Sequence, residues 1–269
     1  MRRELLLATI GALVAPIVSA AEGEPLRVGT FIGSPPWAYI PGSGPLGVEA
    51  TPTPAAQTTP TTLPEAQVRR AVGLDIDVAR ALGRRMGRPV TIVSANWTTI
   101  EKELLQKNFD VIIAAWTPSR KTPDSVVASA PYYEWGLLMT VKADDTRFHS
   151  YADLAGARVG HFNDPAVERT LRSLGAAELV PFASEDLLFQ GLKSGKVPVI
   201  VMDSPYVRWR LSRETGLRAV GEPLNKLGYH VGVRKADADL LQKVEAAVKD
   251  FTASAESAEI RRRWEGAAP

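Results

Sequence analysis

Residues 199–205 have the sequence VIVMDSP, which gives the clearest indication of the fold. Its first four residues are all apolar, which is typical of a strand buried on both faces in a parallel sheet. Ser204 followed by Pro205 predicts the start of a helix, with the hydroxyl as its cap and the proline in its first turn. Asp203 is therefore expected at the carboxyl end of a buried strand, where open α/β sheets bind their ligands. A buried carboxylate needs a partner, and a cationic ligand would serve.

Strands and helices alternate along most of the chain. The apolar patterns predict strands at residues 26–30, 89–93, 109–115, 158–162 and 229–233. They predict helices at residues 74–86, around Ile100, after Asp164-Pro165, after Ser184 with Leu187, Leu188 and Leu192 inside, after Asp203, and towards the C-terminus. This rhythm predicts an α/β fold with mostly parallel sheets and helices on both faces.

Composition excludes several classes of function. The 269 residues carry a formal net charge of +2 and no basic cluster, which argues against a nucleic-acid partner. Cysteine is absent, so disulfides, thiol nucleophiles, thiolate metal sites and a lipid-modified cysteine anchor are excluded. The three histidines, His149, His161 and His230, lie far apart in sequence and form no metal-ligand pattern. We expect neither a metal nor a cofactor.

Residues 1–20 have the features of a secretory signal peptide. Arg2 and Arg3 precede an apolar run from Leu5 to Val18, and small residues follow at the expected cleavage site. The run is too short to span a membrane comfortably. Together with the lack of a cysteine anchor, this predicts a protein exported to the periplasm.

One segment interrupts the alternation of strands and helices. Between Glu49 and Pro64, ten of sixteen residues are Thr or Pro. Such a composition buries little apolar surface, so it predicts a solvated loop rich in polyproline II conformation, inserted at about residues 41–70. The insertion is either tolerated without a role or serves as a lid or partner-docking loop.

An ordered series of motifs resembles a known family. The motifs are Arg27-Val28-Gly29-Thr30 before Pro35-Pro36-Trp37, Gly73-Leu74-Asp75-Ile76-Asp77-Val78, Trp97, Phe109-Asp110-Val111-Ile112-Ile113, Pro131-Tyr132-Tyr133, Tyr151-Ala152-Asp153-Leu154-Ala155-Gly156, Leu192-Lys193-Ser194-Gly195, Asp203-Ser204-Pro205, and Val220-Gly221-Glu222-Pro223-Leu224. In order and spacing the chain is similar to the family 3 periplasmic solute-binding proteins, the polar amino-acid receptors of ABC importers. The resemblance runs from about Leu26 to Trp264.

The resemblance implies a two-lobe fold that closes on a small solute. The first lobe would comprise residues 21–138 and 229–269, and the second residues 143–222. Two hinge strands would cross at residues 139–142 and 223–228. The resemblance also implies a monomer that works with the membrane permease of an ABC importer. Closure would be driven by a ligand that contacts both lobes.

The family's ligand-binding positions carry over unevenly. The resemblance implies that Asp203 receives the amino group of the ligand, that Thr117 offers a hydroxyl, and that Ala115 allows close approach of the backbone. The position of the family's carboxylate-binding arginine falls on Thr122. Arg120, two residues earlier, is then either a substitute clamp for a carboxylate or a solvated loop residue.

Other pocket positions also differ from the family pattern. Asp164 replaces a hydroxyl position and would cap its own helix, so it would repel a ligand carboxylate. Leu74 takes a stacking position that is usually aromatic. Aromatic side chains instead stand at other candidate ligand positions, which are Phe31, Trp116, Phe162 and Trp37. Each could belong to a lobe core, the favoured reading for Trp37, or stack on the ligand, where it would favour an organic cation.

Three functions are compatible with these residues. The first is a periplasmic receptor for a small amine-bearing solute. The second is an enzyme on the same fold, as in cyclohexadienyl dehydratases, for which Glu168 and Asp164 are the candidate general acids. The third is a sensory protein or an accessory to a periplasmic redox enzyme, favoured only by the Thr/Pro-rich insertion. We expect the receptor.

Overall fold

The computed structural model describes residues 23–42, 59–162 and 165–265. The strands within these residues are β1 Leu26–Thr30, β2 Thr61–Thr62, β3 Val90–Ser94, β4 Val111–Ile112, β5 Val126–Lys142, β6 Arg158–Phe162, β7 Glu178–Phe182, β8 Val199–Asp203 and β9 Leu217–Arg234. The helices are α1 Glu65–Arg70, α2 Leu74–Arg85, α3 Ile100–Leu105, α4 Pro165–Ser173, α5 Glu185–Lys193, α6 Ser204–Leu211, α7 Ala238–Thr252 and α8 Ala255–Trp264, with a 3-10 turn at Tyr151–Leu154. The predicted signal peptide and Asp164 lie outside the described residues.

The described strands form one mixed sheet in the order β2-β3-β1-β4-β9-β5-β8-β6-β7. In one half, β1 pairs in parallel with β3 and β4; in the other, β6 pairs in parallel with β7 and β8. The long strands β5 and β9 run antiparallel to each other and connect the halves. We call the half around β1 the first lobe and the half around β6 the second lobe. The predicted α/β architecture with helices on both faces is confirmed.

The apolar patterns predicted six of the nine described strands, and they did not predict β2, β5 or β7. β1 and β6 have the predicted bounds, because each is a short apolar run that ends at a clear break in the pattern. The strand predicted at residues 109–115 is shorter, at Val111–Ile112. The strand predicted at residues 229–233 is the end of the much longer β9. The interior residues Val199, Ile200 and Val201 of β8 are completely buried, as expected for a strand covered on both faces.

In helix α5, one predicted cap is confirmed and one predicted core residue is wrong. The Ser184 hydroxyl accepts a hydrogen bond from the Leu187 amide at 3.3 Å, as an N-cap should. Leu188 and Leu192 are buried, but Leu187 is 48% exposed. The expectation that Leu187 faces inwards is wrong, because neighbouring helix positions point about 100° apart and Leu188 occupies the inner face.

The Thr/Pro-rich segment is partly ordered. Residues 43–58 lie outside the described residues. Thr61 and Thr62 form strand β2, which pairs antiparallel with β3, and helix α1 follows. The prediction of a solvated loop is wrong for these residues, because threonine is β-branched and suits an exposed edge strand.

The core extends across both lobes. Trp209 and Trp264 are buried in it. Trp37 and Tyr206 belong to this same cluster, although they come from different lobes. Among the described residues, no helix combines the length and apolar character needed to cross a membrane.

Candidate functional site

Asp203 lies where the sequence predicted it. It is the last residue of β8, opposite Leu137 of β5, and helix α6 follows directly. Its side chain is half-buried. The Tyr229 hydroxyl donates a hydrogen bond to Asp203 Oδ2 at 3.1 Å. Because Tyr229 belongs to β9, this contact ties the carboxylate of the second lobe to a strand that connects the lobes.

Helix α6 does not begin as expected. Ser204 was predicted to cap it, but Ser204 is the first helical residue and its hydroxyl accepts a hydrogen bond from the Gly136 amide at 3.3 Å. Asp203 occupies the cap position, yet its side chain makes no capping hydrogen bond. The predicted serine cap is therefore wrong, since the hydroxyl is used to join α6 to β5. The Asp203 carboxylate is directed towards Tyr229 instead of its own helix.

A second carboxyl group lies beside the same tyrosine pair. The Tyr132 hydroxyl donates a hydrogen bond to Asp75 Oδ1 at 2.7 Å, and the rings of Tyr132 and Tyr229 are 6.3 Å apart. Asp75 is only 1% exposed. Burial raises its pKa from 3.8 to about 7, although the Tyr132 hydroxyl and the Ala115 amide oppose this shift. The other oxygen, Asp75 Oδ2, has no hydrogen-bond partner among the described residues.

The two tyrosines stay protonated and act as donors. Burial, together with the neighbouring carboxylates, raises the pKa of Tyr132 and of Tyr229 well above the ordinary value of 10.0. For Tyr229 the charge of Asp203 is the largest electrostatic cause, and Asp75 also contributes. The result is a chain of polar groups, Asp75–Tyr132–Tyr229–Asp203, which we call the carboxyl–tyrosine chain. It leads from α2 of the first lobe to β8 of the second.

The backbone at Ala115 has an unusual conformation beside this chain. Its φ is +49°, in the left-handed region that non-glycine residues rarely adopt. In this conformation its amide is close to both the Asp75 carboxyl and the Tyr132 hydroxyl. Such strained backbone is often found at functional sites. Close approach of the backbone was expected at Ala115. The groups that its backbone approaches are the Asp75 carboxyl and the Tyr132 hydroxyl.

Aromatic rings pack together where the two lobes meet. Trp135 stacks on Tyr229, with ring centroids 5.2 Å apart and planes 23° apart. Trp37, from the loop after β1, stacks on Tyr206 of α6 at 5.7 Å and 18°. The expectation that Trp37 belongs to the core holds, but it packs against the opposite lobe. The buried Arg210 fixes Tyr206, donating to its hydroxyl at 3.1 Å.

Two residues predicted to stack on a ligand are buried in the core. Trp116 packs in the core under α3, where its indole donates to Glu101 Oε1 at 3.0 Å. This packing favours the core alternative for Trp116. Leu74 is 1% exposed and also packs in the core.

Thr117, at the predicted hydroxyl position, and Thr122, at the position of the family's carboxylate-binding arginine, both make hydrogen bonds within the protein. The Thr117 hydroxyl donates to the Gly228 carbonyl of β9 at 2.7 Å. The Thr122 hydroxyl donates to Glu101 Oε1 at 2.7 Å, so the aligned arginine position offers no cation. Arg120 is exposed on the loop after β4. Phe31 and Phe162 are half-buried, at the carboxyl ends of β1 and β6.

Sequence reasoning missed Asp75, Tyr132 and Tyr229 as a group. One signal was present for Asp75: it lies in a run of buried positions at the start of α2, so its carboxyl cannot be solvated. Tyr132 and Trp135 both lie on β5. Nothing in the sequence pairs these residues with Asp203.

The described residues hold no cluster of His, Asp or Glu that could bind a metal ion. A basic surface cavity of about 340 Å³ lies elsewhere, near the end of β5. It is lined by Lys142, Asp145, Arg147, Arg158 and Lys196, among others. It is remote from Asp203, which pairs with Leu137 five positions before Lys142 on β5.

Comparison with known proteins identifies the family. The model of the bacterial extracellular solute-binding proteins, family 3, matches residues 55–267. The chain belongs to this family. The ABC transporter arginine-binding protein 1 of Escherichia coli (strain K12) is 24% identical over 199 residues, 72% of this chain and 81% of that protein. The L-arginine-binding protein of Pseudomonas aeruginosa is 22% identical over 276 residues, covering 96% of this chain and 95% of that protein.

Solved structures of amino-acid-binding proteins have the same fold. An ancestral arginine-binding protein bound to glutamine aligns with a TM-score of 0.65 and 26% identity, over 90% of this chain and 98% of that one. An ancestral cationic amino-acid solute-binding protein aligns with a TM-score of 0.70 and 24% identity, over 89% of this chain and 95% of that one. These neighbours are two-lobe amino-acid-binding proteins, which confirms the predicted architecture.

Proposed function

We propose that this protein is the periplasmic solute-binding component of an ABC importer and that it captures a small amine-bearing solute between its lobes. The observation that carries the proposal is the half-buried Asp203 carboxylate at the carboxyl end of β8, held by Tyr229. A carboxylate in this setting favours a cationic partner, and the ring of Trp135, which stacks on Tyr229, favours an organic cation.

The named relatives support this class of solute. Arginine carries two cationic groups, and the relatives named for it are family 3 receptors. The internal contact of Thr122 and the exposure of Arg120 argue that the solute's carboxylate, where present, gains no arginine clamp here. We therefore propose that recognition depends on the amine. We also propose that the protein is exported, that it is a monomer and that it docks on a membrane permease.

Movement of the lobes would use the two long strands. Strands β5 and β9 connect the lobes, and their pairing is irregular between Trp135 and Met139. The predicted hinge segments, residues 139–142 and 223–228, lie within these strands. We propose that the lobes, with the boundaries predicted from the sequence, rotate about this region when the solute binds.

The test is a calorimetric titration of the purified protein with amino acids and simple amines. Asp203→Asn keeps the shape of the side chain but removes its charge, so we expect amine binding about a hundredfold weaker. Asp239→Asn removes the same charge from an exposed position on α7 and should leave affinity within about twofold. Unchanged amine binding by Asp203→Asn would refute the proposal.

One observation favours the enzyme alternative. Asp75 is a buried carboxyl whose pKa is raised to about 7, the range in which a general acid is effective. The acid predicted from the sequence is less suitable, because Glu168 is paired with Arg172 on the surface of α4. Incubation with prephenate, followed by ultraviolet absorbance of the aromatic product, decides between the two. We expect no turnover.

A further inference from the structure

Strands β5 and β9 pair unequally where they pass from one lobe to the other. The step of four residues from Trp135 to Met139 on β5 lies opposite a step of seven residues from Leu227 to Val220 on β9. The longer segment of β9 includes Gly221, whose φ of +71° lies in the left-handed region. Extra residues in one strand bend it and interrupt the hydrogen-bond ladder. Backbone groups of β5 that lose their place in the ladder need other partners here.

One side chain of the second lobe supplies such a partner. The Tyr151 hydroxyl donates a hydrogen bond to the Leu137 carbonyl at 2.6 Å and accepts one from the Met139 amide at 3.3 Å. The backbone of Leu224, in the longer segment of β9, lies close to the same oxygen. A single hydroxyl therefore joins both strands at the irregular part of their pairing.

Tyr151 is itself held by the second lobe. It begins the 3-10 turn that precedes β6, and Asp153 Oδ2 fixes the start of this turn by accepting from the Ser150 amide at 2.8 Å. The half-buried ring of Tyr151 packs against the second-lobe core cluster to which Leu137 belongs. The hydroxyl is therefore fixed to the body of the second lobe, and it fixes the strand segments that it contacts.

The hydrogen bonds of Tyr151 lie where β5 enters the second lobe. From Leu137 onwards β5 pairs with β8 as well as with β9, whereas the preceding residues of β5 pair, within the described part of the chain, with β9 alone. Gly136, at this boundary, donates its amide hydrogen to the Ser204 hydroxyl of α6 at 3.3 Å. Two hydroxyls of the second lobe thus hold β5 at the point from which it leads to the first lobe.

We propose that Tyr151 is a positioning residue of the hinge, and that its hydroxyl holds β5 and β9 in the geometry that brings the two lobes into contact. This inference rests on the proposed function and assigns the control of lobe closure to a residue outside the candidate solute site. The hydrogen bonds of Tyr151 are made in the arrangement in which Trp37 of the first lobe stacks on Tyr206 of the second. Rotation of the lobes changes the path of both strands at this boundary, and these bonds oppose that change.

The strength of one hydrogen bond sets the size of the effect. A typical intramolecular hydrogen bond changes an equilibrium by about fivefold. Tyr151→Phe keeps the ring and removes only the hydroxyl, so we expect the ratio of closed to open molecules to fall by about fivefold. Because apparent affinity falls with the population of the closed form, every solute should weaken by one common factor of at most about fivefold.

Ser129→Ala is a matched control for the loss of a hydroxyl between the same two strands. The Ser129 hydroxyl accepts a hydrogen bond from the Val231 amide at 3.0 Å, so it also joins β5 to β9 at an irregular part of their pairing. This contact lies within the first lobe, and Ser129 is buried. We expect Ser129→Ala to lower the free energy of unfolding without changing the separation of the lobes.

The lack of cysteine allows the separation of the lobes to be measured directly. Spin labels are attached through Lys102→Cys on α3 of the first lobe and Gln190→Cys on α5 of the second, both exposed helix positions. Double electron–electron resonance without solute then gives the distribution of distances between the lobes. We expect Tyr151→Phe to increase the population at the longer distance, and Ser129→Ala to match the labelled parent chain. Identical distributions for Tyr151→Phe and the parent chain would overturn the inference.

Urea denaturation of the same proteins distinguishes a hinge effect from a loss of stability. If Tyr151 only supported the fold of the second lobe, Tyr151→Phe would lower the free energy of unfolding, as Ser129→Ala does, and leave the distances unchanged. That result would overturn the inference. A shift in the distances that Ser129→Ala does not share supports it.

Titration with butylamine and L-arginine separates this inference from the proposed function. Weakening of both probes by the same factor in Tyr151→Phe supports a role in closure. Different factors for the two probes would mean that Tyr151 takes part in recognition, and would overturn the inference. If neither probe binds the unaltered chain while the distances respond as expected, the proposed amine receptor fails and the control of lobe separation by Tyr151 stands.

Discussion

A buried carboxyl group without a cationic neighbour makes stability depend on pH, and Asp75 is such a group. Its pKa is about 7 in the folded protein and near 3.8 in the unfolded chain. Between these values the unfolded chain releases a proton that the folded protein keeps. The contribution of Asp75 to stability is therefore complete below about pH 4 and is lost as pH rises towards 7, a change of about 4 kcal/mol.

Replacing Asp75 with asparagine removes this titration. We expect the free energy of unfolding of Asp75→Asn to change less between pH 4.5 and pH 7 than that of the unaltered chain. The measurement is urea denaturation followed by tryptophan fluorescence at both pH values. Asp239→Asn serves as the control, because its exposed side chain should leave the pH dependence nearly unchanged. Identical slopes for Asp75→Asn and the unaltered chain would contradict a raised pKa.

At the scale of single elements, the crossing of β5 and β9 depends on Gly136. A Cβ atom at this position would lie 2.5 Å from the Asn225 carbonyl oxygen and 2.7 Å from the Leu224 carbonyl oxygen. These are backbone atoms, so a rotamer change cannot relieve the contact. We expect Gly136→Ala to lower the free energy of unfolding by about 1–3 kcal/mol, as overpacking usually does.

Chemical denaturation measures this effect, with Glu134→Ala as the control. Glu134 lies two positions earlier on β5, but it is exposed and should tolerate the change. Unchanged stability of Gly136→Ala would mean that β9 can move away from β5 at low cost. It would also mean that the two strands of the proposed hinge can separate locally at Gly136.

The elements were largely predictable from the sequence because their signals are local. The apolar runs of β1 and β6 end at clear breaks, and Ser184 caps α5 by contacting a residue three positions later. The failures involve residues whose behaviour depends on distant parts of the chain. Ser204 has the local features of a cap, but its hydroxyl bonds to Gly136 of β5 instead. Long-range contacts of this kind leave no trace in local pattern.

The same distinction explains what could be predicted of the candidate site. Asp203 was found because it follows a buried strand directly. Trp116 was assigned to either core or ligand, and only its packing under α3 and its bond to Glu101 decide for the core. Tyr206 was missed, because its partner Trp37 lies far away in sequence on the other lobe.

At the scale of the whole molecule, the two lobes are joined by an aromatic contact as well as by strands. Trp37 of the first lobe stacks on Tyr206 of the second, and both side chains are buried. Arg210 holds Tyr206 in position, so the contact should break only when the lobes separate. An aromatic pair contributes about 1 kcal/mol beyond its buried area, which corresponds to a roughly fivefold change in the ratio of closed to open molecules.

We therefore expect Trp37→Ala to shift the protein without solute towards open forms. Small-angle X-ray scattering should give a larger radius of gyration for this variant than for the unaltered chain. Trp97→Ala is the matched control, because it removes an indole that is 49% exposed and belongs to the first lobe alone. An unchanged radius for Trp37→Ala would show that β5 and β9 fix the lobes without help from the stack. Because a solute that bridges Asp203 and the first lobe favours closure, a saturating amine should return the radius of Trp37→Ala towards that of the unaltered chain.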